Sequence, residues 1–113
     1  MKGFTEALME DLAVNAPHGE ASVVMPGHVG TGIAENTLAA TSDGDVSEQM
    51  KAMAESFRHN APTSADEAVQ IILDAVLARE WRILVGDDAA KLDSAVRADP
   101  VSAYAAEFMG RLL

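Results

Sequence analysis

The apolar run Ala21-Ser22-Val23-Val24-Met25 gives way abruptly to Pro26-Gly27-His28-Val29-Gly30-Thr31, and this junction carries the residues best placed for chemistry in the 113-residue chain. A buried strand that ends in a Pro-Gly turn exposes backbone groups at its carboxyl end, where open α/β sheets bind their ligands. Pro26 sets the turn, Gly27 permits close approach of backbone, and the Thr31 hydroxyl offers both a donor and an acceptor. Pro26-Gly27 alone is an ordinary way to end a strand. Gly27, Gly30 and Gly32 stand in the reverse order of the dinucleotide fingerprint and open into a polar, acidic stretch, so no pyrophosphate cradle is expected.

Other chemistry is thinly represented. An imidazole titrates near neutrality, which makes His28 a candidate general base. His18 and His59 sit in polar, loop-like surroundings, and no two of the three histidines have metal-ligand spacing, so no metal site is expected. Asp43, Asp45, Ser47 and Glu48 faintly resemble a calcium loop, but Glu48 stands where that loop needs glycine and Ala54 where it needs its bidentate glutamate. There is no serine nucleophile elbow and no Gly-x-x-x-x-Gly-Lys loop. Met50, Met53 and Phe57 line one side of a helical stretch; they form either an apolar lid over a hydrophobic ligand, for which flexible methionines are suited, or plain helix-to-core packing.

These residues need elements to position them. Phe4, Leu8 and Leu12 recur every fourth residue and predict an amphipathic helix over about 2–14, closed by Asn15-Ala16-Pro17-His18-Gly19. The valine-rich run 21–25 predicts a short strand buried on both faces, as in a parallel sheet. Residues 34–63 turn polar and acidic over a length unusual for a connection. They contain one weakly amphipathic piece, about 46–58, with Ser47 as its cap and Met50, Met53 (or Ala54) and Phe57 on one side, and together read as a mobile flap.

Ser64-Ala65-Asp66-Glu67 is a capping box opening a helix to about Arg79, which is apolar around most of its circumference and so is expected to be buried on several sides or in an oligomer interface. Trp81–Val85 predicts a second strand, followed by a helix capped by Asp87 or Asp88 and broken at Asp99-Pro100. Tyr104, Phe108 and Leu112 predict a C-terminal helix. Two strands alone leave open edges and apolar surface, so the chain reads as part of a larger fold.

With 49% apolar residues the chain belongs to the globular class, and its length suits one small domain. The absence of cysteine removes disulfides, thiolate catalysis and zinc sites built on sulfur. A formal net charge of −10 opposes the phosphate backbone of nucleic acids and anionic membrane surfaces. No apolar run approaches the roughly 18 residues of a membrane span and the acidic N-terminal stretch is no signal peptide, so a cytoplasmic location is expected.

The string PGHVGT resembles the Pro-Gly-x-Val-x-Thr element of the short-chain dehydrogenases/reductases; GFTEAL before it, the long polar insert after it and WRILVGDDAAKLDSAVRADP near the end resemble later elements of that family in the same order. The resemblance implies an α/β chain, the C-terminal part of a Rossmann-like doubly wound parallel sheet, in the order helix, strand, flap, helix, strand, helices. Residues 1–113 would form one segment of a single domain, with a flexible substrate-lid insert at about 34–63.

It further implies NAD or NADP as cofactor, with Pro26, Gly27, Val29 and Thr31 against its nicotinamide end. There the Val29 amide and carbonyl can pair the carboxamide, and the Thr31 hydroxyl can reach the amide or a phosphate oxygen. The position of His28 varies in that family, which argues against a catalytic role. Met50, Met53 and Phe57 would lie in the lid over a small alcohol or carbonyl substrate, and homo-oligomers would form through the first helix and the helix and strand at 64–85.

The family's Gly-rich turn and its Tyr-x-x-x-Lys pair are absent, and Tyr104, followed by Ala105, Ala106, Glu107 and Phe108, does not supply that motif. The family's lysine would lie just before GFTEAL, and a helix starting uncapped at Lys2 reads as the interior of a longer one, from a shortened gene start or a fragment. No catalytic residue is therefore assigned, and the 113-residue chain alone is expected to be inactive. The other function class is a free-standing acidic helical interaction or regulatory module without catalysis, binding a partner through the apolar helix 66–79. A regulatory paralogue that dimerises with an intact enzyme is a variant of it.

Overall fold

Strand β1 (Val23–Pro26) pairs in parallel with β4 (Arg82–Val85), in the register Val23 with Arg82 through Pro26 with Val85. This is the centre of the computed structural model, which describes residues 1–41, 47–108 and 110. Side chains alternate across a strand. Ile83 and Val85, only 1% and 0% exposed, therefore share one face, where they pack on Ala68 and Ala75 of helix α4 (Ala65–Leu77). Arg82 points to the other face and pairs with Asp93 of helix α5 (Asp87–Ala98). Helices thus cover opposite faces of β4, which is why its apolar run is almost unbroken.

The capping box forms as its sequence predicts: the Ser64 hydroxyl accepts from the Glu67 amide at 3.2 Å, and the Glu67 carboxylate accepts from the Ser64 amide at 2.9 Å. At the far end Arg79 adopts φ 62°, with the Glu80 amide on the Ala75 carbonyl and the Arg79 amide on that of Val76, a Schellman closure with arginine where glycine is usual. Helix α1 (Lys2–Asn15) has Met1 as its N-cap with no side-chain cap bond. Its expected apolar stripe is largely open, Phe4 and Leu8 both being exposed.

The stretch 34–63 carries regular elements among its described residues. It holds most of helix α2 (Ile33–Thr41) and all of α3 (Glu48–His59), which pack on each other, and reaches β3 (Thr63–Ser64), which pairs in parallel with β2 (Val29–Gly30). α2 is alanine-rich with no sustained apolar stripe, so periodicity does not reveal it although alanine favours helix. Ser47 caps α3 as expected, accepting from the Met50 amide at 3.3 Å.

One expectation is corrected. The N-cap of α5 is Gly86 at φ 98°, neither aspartate; Asp87 and Asp88 are the first two residues of the helix, and Asp88 accepts from the Ala89 amide from within its first turn. Beyond α5 the described residues form a 3₁₀ turn, Ser102–Tyr104, and Phe108 and Gly110 are helical; Phe108 is buried while Tyr104 is exposed. Leu112 and the acidic pair Asp43 and Asp45 lie outside the described residues.

The chain is extended, 52 × 31 × 27 Å with a radius of gyration of 17.4 Å, against about 13 Å for a compact domain of this length. Among the described residues β1 and β4 pair with no other strand, and none of the helices is long and apolar enough to cross a membrane. α4 buries only Ala68 and Ala75 fully, so its expected burial on several sides is not met within the chain: Val69, Leu73, Val76 and Leu77 face solvent.

Candidate functional site

The β1 ladder carries the chain straight into the turn. The Gly27 amide donates to the Val85 carbonyl at 2.9 Å, one residue past the strand. The next amide, that of His28, donates to Asp88 Oδ2 at 2.5 Å, while Asp88 Oδ1 accepts from the Ala89 amide at 3.0 Å. One carboxylate at the start of α5 thereby holds the turn against the end of β4, where the helix N-terminus favours its negative charge. Two glycines make room for it. A Cβ on Gly27 would coincide with the Asp88 carboxylate, and one on Gly86 would lie 2.6 Å from Asp88 Oδ1 and 2.9 Å from Thr63 Oγ1. The close approach that Gly27 allows is therefore to Asp88.

His28 ties the same turn to α3. Its Nε2 lies 2.6 Å from the Phe57 carbonyl, and its ring sits 4.0 Å from the Phe57 ring, centroid to centroid, at 36°. The carbonyls of a helix's last turn lack helical partners, so an imidazole N–H there satisfies one of them. This contact gives His28 a structural task, joining the turn to the flap.

Val29 is half-buried and paired with Thr63 in the second parallel ladder, and its carbonyl accepts from the Thr31 amide at 2.8 Å. Pro26 and Thr31 are exposed, which leaves the Thr31 side as the accessible edge of the turn. Met50, Met53 and Phe57 project from α3 towards Ile33 and Leu38 of α2 across an open cleft of about 410 Å³. An ion pair between Arg58 and Glu35, 3.9 Å apart, also links the two helices. The two groups of residues expected from the sequence are thus adjacent, with His28 between them.

From the sequence Asp88 was expected only as a possible helix cap, and Ile33 had no assigned role. The doubled aspartate after Gly86 was the available signal, but it reads as a helix cap because its partner lies 60 residues away. Among the described residues no group of three or more histidine, aspartate or glutamate side chains is placed to hold a metal ion.

Comparison with protein-family models, with curated proteins and with solved structures finds no match for this chain.

Proposed function

We propose that this chain is the nicotinamide-side portion of an NAD(P)-dependent oxidoreductase of the short-chain dehydrogenase/reductase type, acting on a small alcohol or carbonyl compound. The observation that carries the reading is the Pro26–Thr31 turn at the carboxyl end of β1, in a parallel pair whose helices α4 and α5 cover opposite faces of β4. When bound, NAD or NADP supplies hydride transfer at its nicotinamide ring. The residues present fit that end of the cofactor: Thr31 is exposed and carries a hydroxyl, and the half-buried Val29, whose carbonyl accepts from the Thr31 amide, lies beside it. These groups bind and orient the carboxamide. Met50, Met53 and Phe57 form the substrate lid and exclude water. The proton-moving Tyr-x-x-x-Lys pair is absent from the 113 residues, so no catalytic residue is assigned. α1 and α4 present apolar surface for a homo-oligomer; nucleic acid and membrane are not partners of so acidic a chain, and the compartment is the cytoplasm.

The coding DNA immediately upstream of Met1 tests this. An in-frame Tyr-x-x-x-Lys preceded by a Gly-rich turn supports the oxidoreductase, and an in-frame stop beside a ribosome-binding site overturns it.

The second reading, an acidic interaction or regulatory module, is favoured by the exposed stripe Val69, Leu73, Val76 and Leu77, spaced i, i+4, i+7, i+8 on α4. A self-sufficient module unfolds cooperatively and binds little apolar dye. A portion of a larger sheet binds such a dye strongly.

A further inference from the structure

The cleft between α2 and α3 has walls of Ile33 and Leu38 on one side and Met50, Met53 and Phe57 on the other, over the small side chain of Ala54. Four of these large apolar residues stay open to solvent, Ile33 at 62%, Met50 at 48%, Met53 at 67% and Phe57 at 42%, in a chain whose net charge is −10. None of the described residues lining it is charged. Its polar member, Thr37, donates its hydroxyl to the Ile33 carbonyl at 2.7 Å, so its donor is spent on the helix.

Size decides what kind of occupant fits. Eight residues line the cleft, and its volume is about 410 Å³. A stable protein partner engages roughly 20–30 residues a side, whereas small-molecule sites occupy roughly 300–1,000 Å³. Small side chains beneath large ones create the space, and two flexible methionines let the wall adapt to the shape of what enters. The cleft also meets the turn from both ends, because Ile33 follows Thr31 by two residues and Phe57 carries the His28 ring.

We propose that this cleft binds the hydrocarbon part of an uncharged aliphatic ketone or alcohol, with the oxygen-bearing end towards Thr31. The apolar, uncharged character of the ligand follows from the lining alone; that the ligand is a carbonyl or alcohol substrate rests on the oxidoreductase reading. Anions are disfavoured twice, by the lack of a cation among the described lining residues and by the charge of the chain.

The test uses the 113-residue protein with ¹³C-labelled methionine methyls and ¹⁵N-labelled amides. Decan-2-one is the probe, dihydroxyacetone the polar carbonyl control, and nicotinamide mononucleotide the probe of the turn. Decan-2-one is expected to shift the Met50 and Met53 methyls saturably, with no such shift from dihydroxyacetone. Met53→Glu and Ile33→Glu, on opposite walls and both at exposed positions, should each raise its half-saturation concentration about tenfold. Absence of a decan-2-one shift overturns the proposal, as do equal shifts at Met1, Met9 and Met25. Cleft shifts that depend on protein concentration without ligand make the occupant a second copy and overturn it too. Nicotinamide mononucleotide acts at separate reporters, the Val29 and Thr31 amides. Ketone binding without a response there removes the oxidoreductase reading and leaves an apolar ligand site; the reverse removes the cleft proposal alone.

Discussion

The Asp88 carboxylate accepts the His28 amide at 2.5 Å, joining two residues 60 positions apart and fixing the turn after β1 to the first turn of α5. The geometry around it is specific, since Gly27 and Gly86 both leave space that this carboxylate fills. Asp88→Ala removes the acceptor, a loss of about 1.5 kcal/mol for a part-buried bond to a charged group. The His28 amide should then exchange with solvent roughly tenfold faster, while Asp88→Asn, which keeps an acceptor oxygen, should recover most of the protection. Unchanged exchange in Asp88→Ala would show that the bond does not hold the turn.

Gly27→Ala places a methyl where the Asp88 carboxylate lies, so the aspartate must leave the turn. Its expected effect on His28 exchange matches that of Asp88→Ala, and the double variant should be no worse than either single one. Additive effects would mean that Gly27 and Asp88 act independently.

Stability should fall in acid through two identifiable carboxylates. The Ser64 backbone amide, then its hydroxyl, hold the Glu67 carboxyl below its ordinary range. The hydrogen bond from Arg82 does the same for Asp93 against the opposing effect of burial, with the charges of Arg82 and Arg97 assisting. A carboxylate whose folded value lies below its unfolded one stabilises fully above the unfolded value and loses that contribution as pH falls through the folded value. Helix content followed from pH 5 downward should therefore decline below about pH 4. Glu67→Gln should show a shallower acid loss, and an identical profile would contradict its role in the cap.

Ile83 anchors the face beneath α4, and Ile83→Ala should cost about 2–5 kcal/mol. In a chain already extended to a 17.4 Å radius of gyration that loss should release α4 from the sheet. Increased apolar-dye binding with retained helical circular dichroism is the expected signature. Ser64→Ala, which removes only the N-cap of α4, should cost about 1 kcal/mol and lower helicity without that increase.

The purified 113-residue protein should not turn over any alcohol or carbonyl with NAD(P), because the Tyr-x-x-x-Lys pair that the proposed reading relies on to move the proton is absent from these residues. Measurable turnover above the cofactor-only rate would require an acid/base group within these residues.

Local signals were the legible ones. The period of four in α1, the valine run of β1, the Ser64–Glu67 box and the strand before Gly86 act over a few residues, and each appears within two or so residues of its expected place. What the sequence hid is long-range. The pairing of Val29-Gly30 with Thr63-Ser64 is too short to show alternation, and α2 is too rich in alanine to show a stripe. The Asp88 bond to His28 depends on β1 lying beside β4, which no spacing encodes. The end of β1 at Pro26-Gly27 was legible, whereas the neighbours that hold the following residues, Asp88 and Phe57, emerged only with the fold.

The central claim is that the Pro26–Thr31 turn receives the nicotinamide end of NAD(P). Its most direct test is an amide footprint of the ¹⁵N-labelled chain with nicotinamide mononucleotide and, separately, adenosine monophosphate. The account predicts saturable shifts at Val29, Gly30 and Thr31 with the first, weakened by Thr31→Val, and none there with the second. Equal responses to both nucleotides, or shifts confined to residues away from the turn, would contradict it.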